Sequence, residues 1–269
     1  MPFFYDKEGG YMQTHNVAVV VLAAGLGTRM KSGKAKVLHE ILDQPMVAYV
    51  AETAWRVAGD NIIFIIGNQA EKVRQVVSDS CMQGFGFLPR FALQEEQLGT
   101  GHAVLCALPE IPACAEDVVI LCGDVPLLTA ATLSQFLTDH TKTGRDISLL
   151  AVQLDKPKGY GRVLMDENEN VLGIVEEADA TDEQRKIKTI NTGVYCVKKQ
   201  FLTEAVGKIR ADNAQREFYL TDIIEIGYKE GKRIGSLIGN DPDEVLGINT
   251  PQDLALVENI MRHRLSKIS

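Results

Sequence analysis

The sequence predicts an α/β fold: a mixed, mainly parallel sheet flanked by helices, with a smaller β-rich lobe in its second half. Residues 17–22, Val-Ala-Val-Val-Val-Leu, form a short unbroken apolar run rich in β-branched side chains, the pattern of a strand covered on both faces. Comparable runs recur at 61–67 and 117–122, and helix-like segments lie between them, which is the alternation of a parallel sheet. Beyond about residue 155 that alternation gives way to closely spaced strands. With 269 residues, 45% hydrophobic and 24% charged, the chain has enough apolar material for a substantial core.

Taken in order, 1–15 carries Asp6, Glu8, Gly9 and Gly10 and no apolar stretch of a secretory signal, so it is read as a tail. A strand over 16–24 runs into a glycine loop. A helix follows over about 45–58, with Pro45 at its first position and Gly59 as its stop. The strand 61–67, a helix over 70–78, the strand 91–94, a helix over 100–108 and the strand 117–122 come next. A helix over 129–142 precedes the strand 147–154. In the second half, 161–166 and 171–175 flank the polar turn Glu167–Asn170 and read as a hairpin. The strand 192–197, a helix over 218–229 stopped by Gly231, and the strand 233–238 complete it. Thr250, Pro251 and Asp253 open a closing helix as N-cap, N1 and capping-box partner. One domain over 16–269 is the economical reading.

Composition excludes several classes. No apolar stretch approaches the roughly 18 residues of a membrane span. The five cysteines include no C-x-x-C pair, which argues against a disulfide framework or a zinc site and suits a reducing cytoplasm. A net charge of −8 disfavours nucleic acid and anionic membranes as partners. Against that acidic background, Arg29, Lys31, Lys34 and Lys36 stand together directly after Gly25 and Gly27, with no acidic residue among them. Glycines that permit turns and close ligand approach, followed by cations, point to phosphate. The loop matches neither familiar phosphate motif. Met30 stands where the dinucleotide fingerprint needs a third small residue, and Gly27 and Gly33 are one residue too far apart for a Walker A loop.

Other polar groups fall at strand ends, where α/β sheets bind ligands. Asp124 follows the strand 117–122 in a Gly-Asp-Val-Pro turn, and Gln94, Gly99 and Thr100 lie between a strand and a helix. His39, His102 and His140 read as packed or surface side chains, since no nucleophile signature accompanies them.

Leu22-Ala-Ala-Gly-Leu-Gly-Thr-Arg-Met30 with Lys36-Val-Leu-His39, then Leu93-Gln94, Gln97-Leu-Gly-Thr-Gly-His-Ala103, Gly123-Asp-Val-Pro-Leu127 and Gly159-Tyr-Gly-Arg162 occur in an order that resembles the sugar-nucleotide pyrophosphorylases. Ile174-Val-Glu176, Asp179–Arg185, Ile190-Asn-Thr-Gly193, Tyr219–Ile224 and Gly247-Ile-Asn249 extend the resemblance to about residue 260. Within that family the chain is most similar to the uridylyltransferase half of the bifunctional N-acetylglucosamine-1-phosphate uridylyltransferase/glucosamine-1-phosphate acetyltransferases.

The resemblance implies a Rossmann-like nucleotide-diphospho-sugar transferase fold, with a nucleotide-binding lobe over about 16–154, a sugar-binding lobe over about 155–240 and a closing helix over about 251–266. It implies Mg²⁺-dependent transfer of a uridylyl group from UTP to N-acetylglucosamine 1-phosphate, giving UDP-N-acetylglucosamine and pyrophosphate, in synthesis of peptidoglycan and other cell-envelope precursors. Arg29, Lys36 and Asp124 would be catalytic. Leu22, Ala23, Ala24, Gly25, Gly27, Gln94, Gly99 and Thr100 would hold the nucleotide; Gln94 would read the base with one donor and one acceptor. Cys122, Gly123, Gly161, Glu176, Asn191 and Asn249 would line the sugar site, and Asp124 with Asn249 would supply hard oxygens to Mg²⁺. Lys31 and Lys34 receive no role. The acetyltransferase β-helix of the bifunctional relatives has no counterpart here, so neither that activity nor its trimer contact is expected.

Two positions depart from the family pattern: Ala35 replaces a proline before the loop lysine, and Cys122 replaces a tyrosine beside the sugar site. Freeing φ at 35 predicts a looser loop, and Cys122 bears on sugar selectivity. A nucleotidyltransferase for another nucleoside triphosphate or sugar phosphate, and a non-catalytic nucleotide-sugar-binding module, are the competing readings.

Overall fold

A computed structural model describes residues 16–267; the tail expected over 1–15 lies outside the described residues. In chain order the elements are β1 (Val17–Leu22), the short strands β2 (Glu40–Ile41) and β3 (Gln44–Pro45), α1 (Met46–Ala58), β4 (Ile62–Ile66), α2 (Ala70–Phe85), β5 (Arg90–Leu93), α3 (Thr100–Ala107) and β6 (Asp117–Cys122). Then come α4 (Ala130–Thr143), β7 (Ile147–Gln153), β8 (Arg162–Met165), β9 (Val171–Val175), β10 (Thr189–Lys198), α5 (Lys199–Val206), α6 (Asp222–Lys229), β11 (Ile234–Ile238) and α7 (Pro251–Ser266).

The main sheet runs β11-β7-β10-β6-β1-β4-β5, and the hairpin β8–β9 joins it through β10. Strands β6, β1, β4 and β5 are mutually parallel, as are β7 and β11, while β10 runs antiparallel between β6 and β7. This is the mixed, mainly parallel sheet that the apolar runs predict.

Strand β1 shows why its sequence needs no polar face. Val19 and Val21 pack with Val47, Val50, Val73, Leu133 and Phe136 from α1, α2 and α4. Ala18 and Val20 pack on the other side with Val104, Leu202 and Ile223 from α3, α5 and α6. Side chains alternate across a strand, so an unbroken apolar run feeds two cores at once. Each fully buried valine contributes about 1.5–3 kcal/mol of transfer free energy.

Several boundaries differ from expectation. Pro45 is the N-cap of α1 rather than its first residue: it pairs with Glu40 in the β2–β3 hairpin, which holds its ψ at 136°. Helix α2 continues to Phe85 because buried Val73, Val77 and Cys81 keep a four-residue spacing, and Phe85 stacks on Trp55 at 4.7 Å. Helix α6 begins at Asp222, not at 218, because the preceding segment is bonded to the start of α3. There Phe218 donates to Leu98 O (2.8 Å), Gly101 donates to Phe218 O (2.7 Å), and Leu220 N–H reaches Thr100 Oγ1 (3.0 Å). Helix α5 was not foreseen; it follows β10 without a turn residue and buries Phe201, Leu202, Ala205 and Val206.

Helix α7 starts as expected, with Thr250 and Asp253 forming a capping box. Its buried Val257 and Met261 pack with Met30, Ile41, Met46, Leu127 and Ile248. That small core fastens the closing helix to the segment just after the glycine loop, and so brings residues near 249 to residues near 29.

Among the described residues no helix is long and apolar enough to cross a membrane.

Candidate active site

The glycine loop leaves β1 at Leu22 and passes Ala23 and Ala24, both buried, to Gly25 and Gly27. The two glycines differ. Gly27 adopts φ 64°, ψ 30°, and a Cβ there would lie 2.7 Å from Lys36 Cβ. Gly25, expected to need a turn conformation, has no positive φ, and a Cβ on it would meet nothing within 4 Å. Gly27 therefore lets the Lys36 segment cross the loop, while Gly25 leaves open space above the main chain.

Crossing there, Lys36 sends Nζ to Asp124 Oδ2 at 2.5 Å and to Asn249 Oδ1 at 3.2 Å. Arg29 Nη2 donates to the same Asn249 oxygen at 2.8 Å. Four side chains spread over 220 residues thus form one hydrogen-bonded group. Asp124 is positioned by the turn after β6, where Gly123 N–H reaches Leu22 O (2.9 Å) and Ile248 N–H reaches Asp124 O (3.0 Å). Asn249 is positioned by the helix cap, since Asp253 Oδ2 accepts from the Asn249 N–H at 3.0 Å. The capping spacing is readable in the sequence; its service to Asn249 is not. The remaining cations do not join: Lys34 pairs with Glu40 at 2.7 Å, and Lys31 is exposed. Ala35 keeps φ at −55°, inside the range a proline would impose.

The Asp124 and Asn249 oxygens fit a divalent ion by their chemistry. Both are hard donors, and both are directed at one cationic point, now the Lys36 ammonium. Mg²⁺ typically takes one or two such protein oxygens and completes its shell with phosphate and water. A second group of possible ligands, Asp117, His140 and Cys196, is buried within the fold. Its imidazole and thiol suit softer metals. Two of its members are already engaged: His140 bonds Ser148 (2.8 Å) and Asp117 (3.2 Å), and Lys198 pairs with Asp117 (2.9 Å). Burial alone would raise the Asp117 carboxyl, but hydrogen bonds from His140 and Lys198 outweigh it and hold it below the usual range.

Beside the loop, the end of β5 brings in Gln94, which is 3% exposed. A Cβ on Gly67, at the end of β4, would lie 2.8 Å from Gln94 O and 3.0 Å from Ala24 Cβ, so the Gln94 segment closely flanks the loop. Gln94 Nε2 lies 3.0 Å from Gly99 O and 3.2 Å from His102 Nδ1. Gly99 O therefore takes one hydrogen of this amide, and the second lies against a histidine nitrogen that accepts it in one of the ring's two tautomers. Gly99, at φ 116°, passes so close to Phe218 that a Cβ would lie 2.6 Å from its carbonyl oxygen. Thr100, one residue on, is exposed.

The third group lies across β6. Asn191 N–H donates to Gly161 O at 2.9 Å, and a Cβ on Gly161 would lie 3.2 Å from Glu176 Oε2. Gly161, Glu176 and Asn191, 30 residues apart in sequence at their extremes, are thus neighbours. Burial raises the Glu176 carboxyl, Asp179 and Asp222 add to this, and the neighbouring Thr221 hydroxyl opposes it. Thr221 is buried and was named only as part of a motif, so sequence reasoning missed its place here. Cys122 bridges the groups: Sγ donates to Gly193 O at 3.8 Å. Burial first, and then the Asp124 carboxylate, push its thiol up to about 12. It is a neutral, unreactive side chain at physiological pH.

All three groups lie along one edge of the sheet. Leu22 pairs with both Cys122 and Ile65, Ile66 with Leu93, and Asn191 with Ala151 near the end of β7. That edge is the carboxyl end of the parallel strands, the usual ligand face of an open α/β sheet.

Comparison with known proteins identifies the family. Residues 18–245 match the family described as Nucleotidyl transferase. The proteins named Bifunctional protein GlmU from Geotalea uraniireducens and Pelobacter propionicus are 45% and 42% identical over 253 and 252 residues, covering 94% of this chain and 54% of each relative. The protein of the same name from Desulfotalea psychrophila is 41% identical over 93% of this chain and 72% of its own length. The chain therefore spans about half the length of the first two relatives. A solved structure described as a glucose-1-phosphate thymidylyltransferase from Bacillus anthracis, in complex with sucrose, superposes with a TM-score of 0.71 over 91% of this chain and 95% of that one. At 17% identity that is a likeness of fold alone. With a family match that runs from β1 into the segment before Asn249, and relatives above 40% identity over nearly all of its length, the chain belongs to the nucleotidyl transferase family.

Proposed function

We propose that the chain transfers a uridylyl group from UTP to N-acetylglucosamine 1-phosphate, releasing pyrophosphate and forming UDP-N-acetylglucosamine. The observation that carries this reading is the Arg29–Asn249–Lys36–Asp124 group at the carboxyl edge of the sheet. An oxygen of the sugar phosphate forms the new bond to the α-phosphorus of UTP as the bond from that phosphorus to pyrophosphate breaks. No general base is required, because a phosphate monoester with a second pKa of about 6 is mostly dianionic near pH 7. What the site must do is hold two anions together in line, the positioning and electrostatic work typical of phosphoryl transfer.

Lys36 and Arg29 neutralise charge on the departing pyrophosphate. Asp124 and Asn249 would hold Mg²⁺, which would supply further neutralisation of the phosphates when bound. The main chain from Leu22 through Gly27, with Gln94, Gly99 and Thr100, receives the nucleotide, and Gly25 leaves room for it. Gly161, Glu176 and Asn191 face the sugar and its acetamido group, with Cys122 and Gly123 between them and the phosphates. The five free cysteines suit a reducing compartment, in keeping with a cytoplasmic source of cell-envelope precursors.

The test is pyrophosphate release scored over UTP, CTP, ATP, GTP and dTTP against a panel of sugar 1-phosphates, with and without Mg²⁺. Turnover that is Mg²⁺-dependent and fastest with UTP and N-acetylglucosamine 1-phosphate is the expected result. Turnover without UTP preference overturns the substrate assignment, and binding without turnover overturns catalysis.

A further inference from the structure

We infer that His102 is a positioning residue: it fixes which end of the Gln94 amide faces the ligand, and so sets the choice of uracil over cytosine. The inference rests on the uridylyl reading above and adds to it a residue which that reading leaves without a role.

The two ends of a glutamine amide are similar in shape and opposite in hydrogen bonding. Rotation about the last side-chain bond exchanges them, so something must choose. At Gln94 two neighbours choose. Gly99 O, 3.0 Å from Nε2, can only accept. His102 Nδ1, 3.2 Å from the same nitrogen, accepts when its ring proton is on Nε2. In that tautomer the NH₂ group has two hydrogens and meets two acceptors, so both are used. Among the described residues none donates to Gln94 Oε1, and that oxygen is what remains for a ligand.

The histidine is held for this task. It sits in the first turn of α3, with its Nε2 side 3.8 Å from Cys106 Sγ and its ring 6.5 Å from that of Phe218. The Phe218 backbone is itself bonded to Leu98 and Gly101, on either side of Gly99. The ring, the carbonyl and the amide therefore form one braced unit rather than three loose side chains.

A single exposed acceptor discriminates between pyrimidines of equal size. Uracil presents an imino N–H between two carbonyls, whereas cytosine presents a bare ring nitrogen at that place. An acceptor facing the imino position bonds the first and opposes the second, leaving buried polar groups unpaired. Without His102 one amide hydrogen is released, and Gln94 regains a donor that cytosine can use.

The experiment measures kcat/KM for UTP and for CTP, with Mg²⁺ and N-acetylglucosamine 1-phosphate, in wild type, His102→Leu, His102→Asn, Gln94→Ala and the Gln94→Ala/His102→Leu pair. Loss of one directing hydrogen bond should lower the UTP:CTP ratio about tenfold in His102→Leu. Asn, whose Oδ1 stands near the place of Nδ1, should restore it. In the Gln94→Ala background His102→Leu should change the ratio no further, since the two act as one unit. The ring nitrogens of His102, followed by ¹⁵N NMR in the unmodified protein, should show the Nε2–H tautomer. A wild-type ratio in His102→Leu, an equal loss without Gln94, an Asn variant that behaves as Leu, or an Nδ1–H tautomer each overturns the inference alone. Absence of any UTP preference in wild type overturns the uridylyl reading beneath it.

Discussion

The two loop glycines should respond to the same substitution in opposite ways. Gly27→Ala places a methyl group in the left-handed region, at φ 64°, ψ 30°, at a cost of about 1–2 kcal/mol. The same methyl would lie 2.7 Å from Lys36 Cβ, against a comfortable carbon–carbon separation of about 3.5–4.0 Å. Neither atom is the end of a flexible chain, so the Lys36 segment must retreat by roughly 1 Å. Displacements of that size at a phosphate-binding cation cost about 10²-fold in rate. The stability loss should appear as a fall in Tm of roughly 2–8 °C for a domain of this size. Gly25→Ala has neither penalty, since that residue has no positive φ and the methyl would meet nothing within 4 Å. It should leave Tm unchanged and raise KM for UTP, because the methyl occupies space assigned to the nucleotide. The assays are thermal unfolding and steady-state pyrophosphate release for both variants. Near-normal kcat in Gly27→Ala, or an equal loss of Tm in Gly25→Ala, would refute the division of labour.

Asp124→Ala and Lys36→Ala should each lower kcat by about 10²–10³, with far-ultraviolet circular dichroism unchanged; near-normal turnover in either variant counts against the assignment. Asp253→Ala removes the reciprocal cap of α7 and the acceptor for the Asn249 N–H, so it should cost about 1 kcal/mol of stability and reduce turnover as well. An Asp253 variant that loses stability but not turnover would separate the cap from the site. Asp222 carries a carboxyl raised to about 6, by burial first and then by Glu225 and Asp179. The folded state therefore binds a proton that the unfolded state, near pKa 3.9, releases, and stability falls as pH rises from about 4 to 6. Asp222→Asn should be more stable than wild type at pH 7.5 by about 1 kcal/mol, a figure reduced for partial exposure and for the lost charge at the start of α6. The advantage should vanish at pH 4 in denaturant titrations, and its persistence there would show that the carboxyl is not the cause.

Much of the fold is legible because its signals are local. The run Val17–Leu22 announces a strand between two cores, and Thr250, Pro251 and Asp253 announce a helix start, since each pattern is decided by residues a few places apart. The errors fall where tertiary contacts override local preference. Pro45 could begin a helix, yet the β2–β3 pairing holds its ψ extended. Phe218–Thr221 could be helical, yet its backbone groups are taken by Leu98, Thr100 and Gly101. In a sequence, an amide such as that of Gln94 shows both of its ends. Only the fold reveals that Gly99 and His102 stand against one of them.

The four cations of the loop show most plainly what composition leaves undecided. In the sequence Arg29, Lys31, Lys34 and Lys36 are equivalent charges in a chain of net charge −8. Long-range attraction cannot distinguish them, because exposed charges are screened within about 8 Å at physiological salt and the whole molecule repels anions. Distinction comes at hydrogen-bond range. Lys34 is spent on Glu40 and Lys31 stands in solvent, whereas the Lys36 side chain is 17% exposed and meets an Asp124 side chain that is 16% exposed. In that half-buried setting an ion pair interacts several-fold more strongly than in water. The pair also leaves the site with little net charge before substrates arrive, so two phosphates cannot be held by Arg29 and Lys36 alone. That deficit is a physical reason for the hard oxygens of Asp124 and Asn249 to converge on one cationic point. It is created by α7, whose buried Val257 and Met261 bring Asn249 to the loop from more than two hundred residues away.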